Sequence, residues 1–439
     1  MAIHHRGSRT RRLATITALL TAAAFALTAC ASGSGGSGAV TENGVTTLTL
    51  WTHNGGNDDE LAVNQRVVDD FNAGQAGYRV EIQSFPQDAY NDSVTGAATA
   101  RKLPCILDMD APNVPNWAWA GYIAPLELPE QLFANQLPST LGVVDGELYA
   151  FGHYDVALNV VTRRSVLEKY GIRVPTLTEP WTKDEFDAAL AAIKAGGEYE
   201  HPLDLGTSGT GEWAPYAYSP ILQSFGGDLI DRNTYTGAQG VLNGPAAIAW
   251  AEWMHGLVEN GYIARQSGED STLDFINGKS AIMWSGSWAA DQVTERYGDD
   301  VLFLPPVDFG HGPKIGGGSW QWGMSADCSA KDGARAFLEF SAQTKYHVLY
   351  ATELGLIPAT EEAAAQVENF APDGKYRIFY DLADQFAVQR PVTPAYPFIS
   401  SVFQKASADI VDGGDPKAIL DKAVADIDNN VKQNGNYEF

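Results

Sequence analysis

The alternation of strand and helix patterns in the first third of the chain most constrains its fold. Residues 47–52 have the composition of a strand, residues 58–72 have the spacing of an amphipathic helix, and residues 78–83 alternate as a second strand. Asn57 is a good N-cap for the helix, three acidic residues follow it in the first turn, and Gly74 ends it. This β-α-β unit predicts an α/β fold with a parallel sheet and a right-handed crossover.

Polar side chains follow the predicted strands at one edge of this sheet. A second predicted helix over 88–102 leads into a short strand over 105–110, so His53, Asn54 and Asp110 lie at the carboxyl ends of strands. Open parallel sheets bind ligands at that edge, and we expect these three side chains to face one crevice. No G-x-G-x-x-G motif follows the first strand, which argues against a dinucleotide.

A second α/β pattern begins after Tyr149. A strand is predicted over 157–161, a capping box at 182–185 opens a helix, and an amphipathic helix is predicted over 416–431. The chain has 439 residues, which is long enough for two domains. We therefore predict two similar lobes.

The N-terminus has the pattern of a bacterial lipoprotein signal. Four arginines precede an apolar stretch over 13–27 that is too short for a permanent membrane span and runs into the tetrad LTAC at 27–30. This predicts removal of residues 1–29 and lipidation of Cys30, with two acyl chains providing a stable anchor. The protein is then expected on the extracellular face of the cell membrane. An ordinary cleaved signal followed by an incidental cysteine is the alternative.

The segment after Cys30 is rich in glycine and serine. Such a sequence behaves as a flexible tether, and we assign residues 30–44 to it, with the folded body beginning at about Val45.

The composition excludes several classes of partner. The formal charge is −25, and removing a signal that carries four arginines and no acidic residue changes it to −29. A body this acidic repels nucleic acid and anionic lipid, so the membrane is contacted through the lipid anchor only.

Two cysteines remain besides the predicted anchor. An exported protein can join such a pair, and we predict a disulfide between Cys105 and Cys328. Two buried free thiols are the alternative. No cysteine or histidine cluster has the spacing of a zinc site, and we predict neither a metal nor a cofactor.

Several of the eleven tryptophans fall in glycine-rich or proline-rich segments where a core role is harder to argue. An indole face packs well on the apolar face of a pyranose ring, while amide, carboxylate and guanidinium groups can bind the hydroxyls. Sugar stacking is therefore predicted for the group, with burial as the alternative for any single member. These residues are Trp213, Trp284, Trp288, Trp320 and Trp322.

Carboxylates leave a catalytic alternative open. Asp108 and Asp110 share one face of a strand, a spacing compatible with a metal site, a catalytic pair or hydroxyl binding. No nucleophile elbow, H-E-x-x-H motif or P-loop is present. We predict a binding protein rather than an enzyme, and the alternative is an anchored glycoside hydrolase that uses Asp110 with Glu212 or another acid.

Taken together, these segments resemble the carbohydrate-binding lipoproteins of ATP-binding-cassette (ABC) importers, the maltose-binding-protein-like group of extracellular solute-binding proteins. The resemblance covers nearly the whole chain after the signal, and the order of its motifs is more specific than any one of them. The motifs are LTLW at 48–51, WAGYIAPL at 119–126, GELYAF at 146–151, YGIRVP at 170–175, WT at 181–182, FGGDL at 225–229, GKSAIMWSGSW at 278–288 and RPVTPAY at 390–396.

This resemblance implies a two-lobed periplasmic-binding-protein-like fold of class II, in which each lobe is a parallel-rich sheet flanked by helices. Three hinge crossings would join the lobes, near 152–156, near 320–323 and near Thr344. The N-terminal lobe would comprise residues 45–154 plus 322–344, and the C-terminal lobe residues 155–321 plus 345–439. Cys105 and Cys328 would then share the first lobe.

The resemblance also implies a mechanism and a set of ligand-binding residues. A sugar, in particular an oligosaccharide, would be captured between closing lobes and delivered to ABC permease subunits with an associated ATPase, by a protein that acts as a monomer. A polyol phosphate, polyamine or peptide ligand is the alternative. The chain departs from the family at Cys105, where an aspartate is common, and in its first loop. The expected ligand-binding residues are His53, Asn54, Asp110, Tyr154, Asp155, Glu212, Trp213, Trp284, Trp288, Gly318, Trp320 and Arg390.

Overall fold

The computed structural model describes residues 38–438. The predicted signal peptide, the predicted lipidation site Cys30 and the start of the tether lie outside these residues. Within the described part, none of the helices combines the length and the hydrophobicity needed to cross a lipid bilayer.

Strands and helices alternate along most of the chain. The strands are β1 (Ala39–Glu42), β2 (Val45–Thr52), β3 (Tyr78–Ser84), β4 (Ile106–Asp110), β5 (Ile123–Ala124), β6 (Leu141–Val144), β7 (Glu147–Phe151), β8 (Tyr154–Asp155), β9 (Leu158–Arg163), β10 (His201–Asp204), β11 (Ser280–Gly286), β12 (Val301–Leu304), β13 (Ile315–Gly316), β14 (Trp320–Ser325), β15 (Ile357–Pro358) and β16 (Ala387–Val388). The helices are α1 (Asp58–Gly74), α2 (Gln87–Thr99), α3 (Val114–Trp119), α4 (Arg164–Tyr170), α5 (Lys183–Gly196), α6 (Trp213–Ala217), α7 (Ser219–Phe225), α8 (Pro245–Glu259), α9 (Ser271–Ile276), α10 (Ala290–Tyr297), α11 (Lys331–Ser341), α12 (Thr344–Leu354), α13 (Glu361–Ala364), α14 (Arg377–Phe386), α15 (Tyr396–Val411) and α16 (Pro416–Gln433).

The first sheet confirms the predicted β-α-β unit. Its strand order is β1-β2-β4-β14-β7-β6, with β3 paired to β2 and β5 paired to β14. Strand β2 runs parallel to both β3 and β4, and α1 begins at the predicted N-cap Asn57, whose side chain accepts from the Glu60 amide. The carboxyl ends of β2 and β4 therefore lie at the same edge of the sheet.

The folded part begins earlier than predicted, because β1 lies inside the segment assigned to the tether. Strand β1 pairs antiparallel with β2 through a turn at Asn43 and Gly44, which have φ angles of 51° and 81°. Asn-Gly is the preferred dipeptide of a two-residue hairpin turn, because both positions need a positive φ. The dipeptide was the available sequence signal for this hairpin.

The predicted α/β class is confirmed, but both sheets are mixed instead of parallel-rich. In the second sheet, ordered β10-β11-β9-β12, only β10 and β11 are parallel within the described residues. In the first sheet β14 runs antiparallel to β4. The reason is connectivity: β14 returns to the first sheet from the second instead of through a local helix, so it enters from the opposite end.

The chain passes between the two sheets three times within residues 38–438. Strand β8 connects β7 to β9, the segment after β13 leads into β14, and β15 follows α12 and pairs antiparallel with β8. The first passage lies between the end of β7 at Phe151 and the start of β9 at Leu158. The second ends before β14, because the whole strand pairs in the first sheet.

Helix α12 shows that the predicted lobe boundary after residue 344 lies too early. Its residues Tyr346 and Tyr350 are buried in the core of the first sheet, and their hydroxyls donate to Asp70 and Asn64 of α1. The aromatic face of α12 thus covers α1, and the third passage falls at β15 instead of near Thr344.

The predicted disulfide between Cys105 and Cys328 is present. Cys105 precedes β4 and Cys328 follows β14, with their Cα atoms 4.6 Å apart. The amide of Ser325 donates to the Cys105 carbonyl at 3.0 Å. The disulfide therefore lies at the end of the hydrogen-bonded pairing between β4 and β14. Both half-cystines are buried, and the alternative of two free thiols is excluded.

A buried histidine on α12 makes stability depend on pH. His347 is 2% exposed, and neither of its ring nitrogens has a hydrogen-bond partner among the described residues. Burial lowers the pKa of His347 to about 4. The ring of His153 lies 5.9 Å away, and its pKa is also lowered, first by its own burial and then by His347.

We expect the free energy of unfolding to fall as the pH drops from 6.5 towards 4. In that range the unfolded chain protonates His347 while the folded chain does not, so added protons favour unfolding. The variant His347→Leu should reduce the stability difference between pH 7.5 and pH 5 by about 2 kcal/mol, measured by urea unfolding. An unchanged difference would contradict this assignment.

Candidate functional site

A cavity of about 550 Å³ opens at the carboxyl ends of β2 and β4, where the first sheet faces helix α6 and the segment after β11. This volume lies within the range of small-molecule binding sites. The lining residues are His53, Asn57, Glu60, Gln87, Asp110, Tyr154, Val156, Thr210, Glu212, Trp213, Tyr216, Trp288, Gly318, Ser319, Trp320, Leu356 and Arg390.

Most of the residues predicted from the sequence line this one cavity. Three of the predicted residues, Asn54, Asp155 and Trp284, do not line it. The nine that line it are His53, Asp110, Tyr154, Glu212, Trp213, Trp288, Gly318, Trp320 and Arg390.

Trp284 lies in the core of the second sheet, so its predicted ligand contact is wrong. It is 1% exposed and belongs to β11, which pairs with β10 on one side and with β9 on the other. Its side chain projects from a face of the sheet into the largest hydrophobic core cluster of the described residues, and this packing buries it. Trp288, four residues later, lies beyond the end of this strand and is 45% exposed.

Asn54 and Asp155 support the cavity wall from behind. The Asn54 side chain accepts from Asn64 at 2.6 Å and contacts the ring of His53. Asp155 accepts from the amides of Val156 and Gly318, which holds the loop before β14 against β8. Both residues are buried and position their neighbours instead of facing the cavity.

One wall of the cavity is aromatic and is formed by helix α6 and the segment that follows β11. The ring centroids of Trp213 and Trp288 lie 6.5 Å apart, and those of Tyr216 and Trp288 lie 6.4 Å apart. The Trp288 ring covers Gly286, where a Cβ atom would lie only 1.9 Å from the indole. The absence of a side chain at Gly286 therefore leaves room for the half-exposed indole to lie against the backbone.

The opposite wall carries a stacked pair of rings. His53 and Trp320 are nearly parallel, with centroids 3.6 Å apart. The His53 Nδ1 atom lies 2.5 Å from Asp108 Oδ2, and its Nε2 atom lies 3.7 Å from Glu60 Oε2. Burial alone would lower the pKa of His53, but the carboxylates of Asp108 and Glu60 outweigh it and raise the pKa.

A buried guanidinium links the two walls. Arg390 Nη2 lies 3.4 Å from Asp110 Oδ1 on β4, and Arg390 Nη1 lies 3.1 Å from Glu212 Oε2. Glu212 also accepts from the hydroxyls of Tyr396 and Ser400. Burial raises the pKa of Asp110 to about 6, although Arg390 opposes the rise.

Sequence reasoning missed several members of the site. The sequence pattern indicates only a first-turn helix charge at Glu60, yet this carboxylate accepts from the Tyr154 hydroxyl at 2.7 Å and lines the cavity. Tyr216 lies one turn after Trp213 on α6, and that spacing was the available signal. Asn57, which caps α1, also faces the cavity.

The arrangement is suited to binding rather than to bond cleavage. The carboxylates of Asp110 and Glu212 share one arginine, and the half-exposed indole of Trp288 offers an apolar face opposite them. Such a cavity can hold a ring that has an apolar C–H face and several hydroxyl groups.

The chain matches known proteins over most of its length. Residues 66–376 match the family model described as bacterial extracellular solute-binding protein.

Solved structures share its fold at low sequence identity. The GacH receptor of Streptomyces glaucescens has a TM-score of 0.72 and 22% identity, and the match covers 89% of this chain and 98% of that chain. The cyclic alpha-maltosyl-1,6-maltose binding protein from Arthrobacter globiformis has a TM-score of 0.74 and 20% identity, with coverages of 88% and 99%. The sugar-binding protein MalE from Xanthomonas citri has a TM-score of 0.73 and 18% identity, with coverages of 90% and 100%.

Proposed function

The chain belongs to the bacterial extracellular solute-binding protein family, and from that premise we propose that its cavity captures a sugar, in particular an oligosaccharide. The observation that carries the proposal is the half-exposed indole of Trp288, which faces the same cavity as the Asp110, Glu212 and Arg390 cluster. A pyranose can stack on the indole while the charged groups bind its hydroxyls.

The known ligands of structurally similar proteins support a sugar. GacH was solved in complex with acarbose, and the Arthrobacter protein binds a cyclic maltosyl-maltose. A phosphate-bearing ligand is less favourable, because Arg390 is the one lysine or arginine among the residues lining this cavity and it already pairs with two carboxylates. The family is one of binding proteins rather than enzymes, so we do not retain the glycoside hydrolase alternative.

Capture occurs when two lobes, one built around each sheet, close around the ligand. Trp320 and Asp110 line the cavity from the first sheet. Trp213 of α6 and Trp288, which follows β11, line it from the lobe of the second sheet. A sugar that contacts both sides has its highest affinity for the closed form, and this difference shifts the population towards closure.

Delivery and anchoring complete the proposed role. The closed form presents the sugar to ABC permease subunits with an associated ATPase. The protein acts as a monomer, held to the extracellular face of the cell membrane by lipid on Cys30. Intact mass spectrometry of the protein from membranes tests the anchor, because a diacylglyceryl group on Cys30 adds a defined mass that the variant Cys30→Ala lacks.

Replacing the exposed indole should weaken sugar binding. We expect Trp288→Ala to cost about 1–3 kcal/mol of binding free energy, or roughly 5- to 150-fold in Kd, because the stacking surface is lost. Isothermal titration calorimetry with α-1,4-glucose and β-1,4-N-acetylglucosamine oligomers measures it. Trp119→Ala is the matched control, since Trp119 is exposed but lies outside the cavity.

Two results would count against this function. An unchanged affinity in Trp288→Ala would remove this residue from the site. A complete lack of binding across a broad panel of saccharides would remove the sugar itself.

A further inference from the structure

A second cavity lies beside the first and shares its aromatic wall. It has a volume of about 390 Å³, and Trp213 and Trp288 line both cavities. The Trp213 Nε1–H donates to the Leu205 carbonyl at 3.0 Å, which fixes the indole between the two spaces. The pair of indoles therefore forms the boundary at which the two cavities meet.

The second cavity is built from one side of the molecule only. All of its lining residues fall within 206–292, from the loop after strand β10 to the first turn of helix α10, and none comes from the first sheet. The first cavity, by contrast, takes residues from both sides.

Two polar side chains of the second cavity are available to a ligand. Glu269 and Gln292 are exposed, and neither forms a side-chain hydrogen bond within residues 38–438. Asp270 differs, because its carboxylate accepts from the amides of Thr272 and Leu273 and caps α9. A free carboxylate and a free amide next to an exposed indole repeat the chemistry of the first cavity.

We propose that the second cavity binds further rings of the same oligosaccharide, which passes from the first cavity across Trp213 and Trp288. This inference rests on the proposed sugar-binding function and adds a chain-length preference to it. Both volumes lie in the range of ligand sites, about 300–1,000 Å³, so each can hold part of an extended ligand.

The one-sided lining gives the second cavity a distinct energetic role. Rings bound there make the same contacts whether the lobes are open or closed, so they add affinity without favouring closure. Rings in the first cavity drive closure, because they contact both sides. Longer oligosaccharides should therefore bind more tightly than short ones and close the protein to the same extent.

The double variant Glu269→Ala/Gln292→Ala tests this inference. Glucose oligomers linked α-1,4 and N-acetylglucosamine oligomers linked β-1,4, each from one to six rings, are titrated by calorimetry, and small-angle scattering measures compaction. In the wild type we expect Kd to fall about tenfold from the shortest bound oligomer to the longest. The double variant should lose this gain, keep the affinity for the shortest oligomer, and show an unchanged decrease in radius of gyration.

The outcomes separate this inference from the proposed function. If short oligomers bind and close the protein but Kd does not depend on length, the second cavity is not a sugar site and the proposed function stands. An equal loss at every length in the double variant would also overturn the inference. If no oligomer of either series binds, both the function and this inference fail. The two substituted residues are exposed, so an unchanged melting temperature confirms that the variant is folded.

Discussion

The variant Arg390→Met should lower the free energy of unfolding by about 3 kcal/mol, because it leaves buried carboxylates without their counter-charge. Arg390 is 7% exposed and bridges Asp110 and Glu212, and its guanidinium also lies over the Tyr216 ring at 5.3 Å. Methionine keeps much of the side-chain volume, so the expected loss reports on charge rather than on packing. Urea unfolding monitored by tryptophan fluorescence measures it.

The cause of this loss can be isolated by removing the carboxylate charges as well. In the wild type, burial raises the pKa of Asp110 to about 6 against the effect of Arg390. In Arg390→Met this pKa should rise further, because the guanidinium no longer opposes burial. The triple variant Arg390→Met/Asp110→Asn/Glu212→Gln should regain most of the lost stability, since no uncompensated charge remains. If the triple variant is as unstable as the single one, the loss arises from packing.

Sugar binding should respond differently from stability. Arg390, Asp110 and Glu212 are the charged groups that we propose bind the sugar hydroxyls in the first cavity, so the triple variant should bind sugar weakly in calorimetry even though its stability recovers. Arg377→Met is a matched control, because Arg377 also pairs with two carboxylates, those of Glu361 and Asp381, and all three residues lie outside both cavities. That control should bind sugar as the wild type does.

Loss of the disulfide is the second large effect that we expect. The double variant Cys105→Ala/Cys328→Ala should lower the free energy of unfolding by about 2–5 kcal/mol, because the bond constrains the unfolded chain over a long loop. The two cysteines are 223 positions apart, and the constraint grows with loop length. Chemical unfolding of the wild type with and without reductant, beside the double variant, measures the effect.

The reduced wild type and the double variant should be equally destabilised, and reductant should not affect the variant further. Sugar affinity should be retained, because the disulfide lies at the start of β4 whereas Asp110 lies at its end. A double variant as stable as the wild type would show that the disulfide does not contribute to the free energy of unfolding.

Local patterns in the sequence were reliable where neighbouring residues decide the structure. The capping box at Thr182 and Glu185 and the N-cap Asn57 both form as predicted, because each depends on contacts within one helical turn. The C-terminal helix α16 begins at Pro416 as predicted. Such features carry their own hydrogen bonds and need no distant partner.

Tertiary contacts decided which predicted residues reach the site. Trp284 and Trp288 are four residues apart in one motif, yet Trp284 packs into the hydrophobic core on a face of the second sheet, while Trp288 lies past the end of β11. The sequence pattern is the same for both. What packs on the sheet and where the strand ends, neither of which the pattern contains, separate them.

The sequence by itself determined the α/β class, the first β-α-β unit, the cysteine pair and a group of aromatic and charged candidates. Only the tertiary structure decided that Arg390 meets Asp110, 280 positions away, that α12 packs on α1, and that β14 returns antiparallel. The physical reason is range: helix caps and strand alternation depend on neighbouring residues, whereas burial and ion pairing depend on segments that the three passages between the sheets bring together.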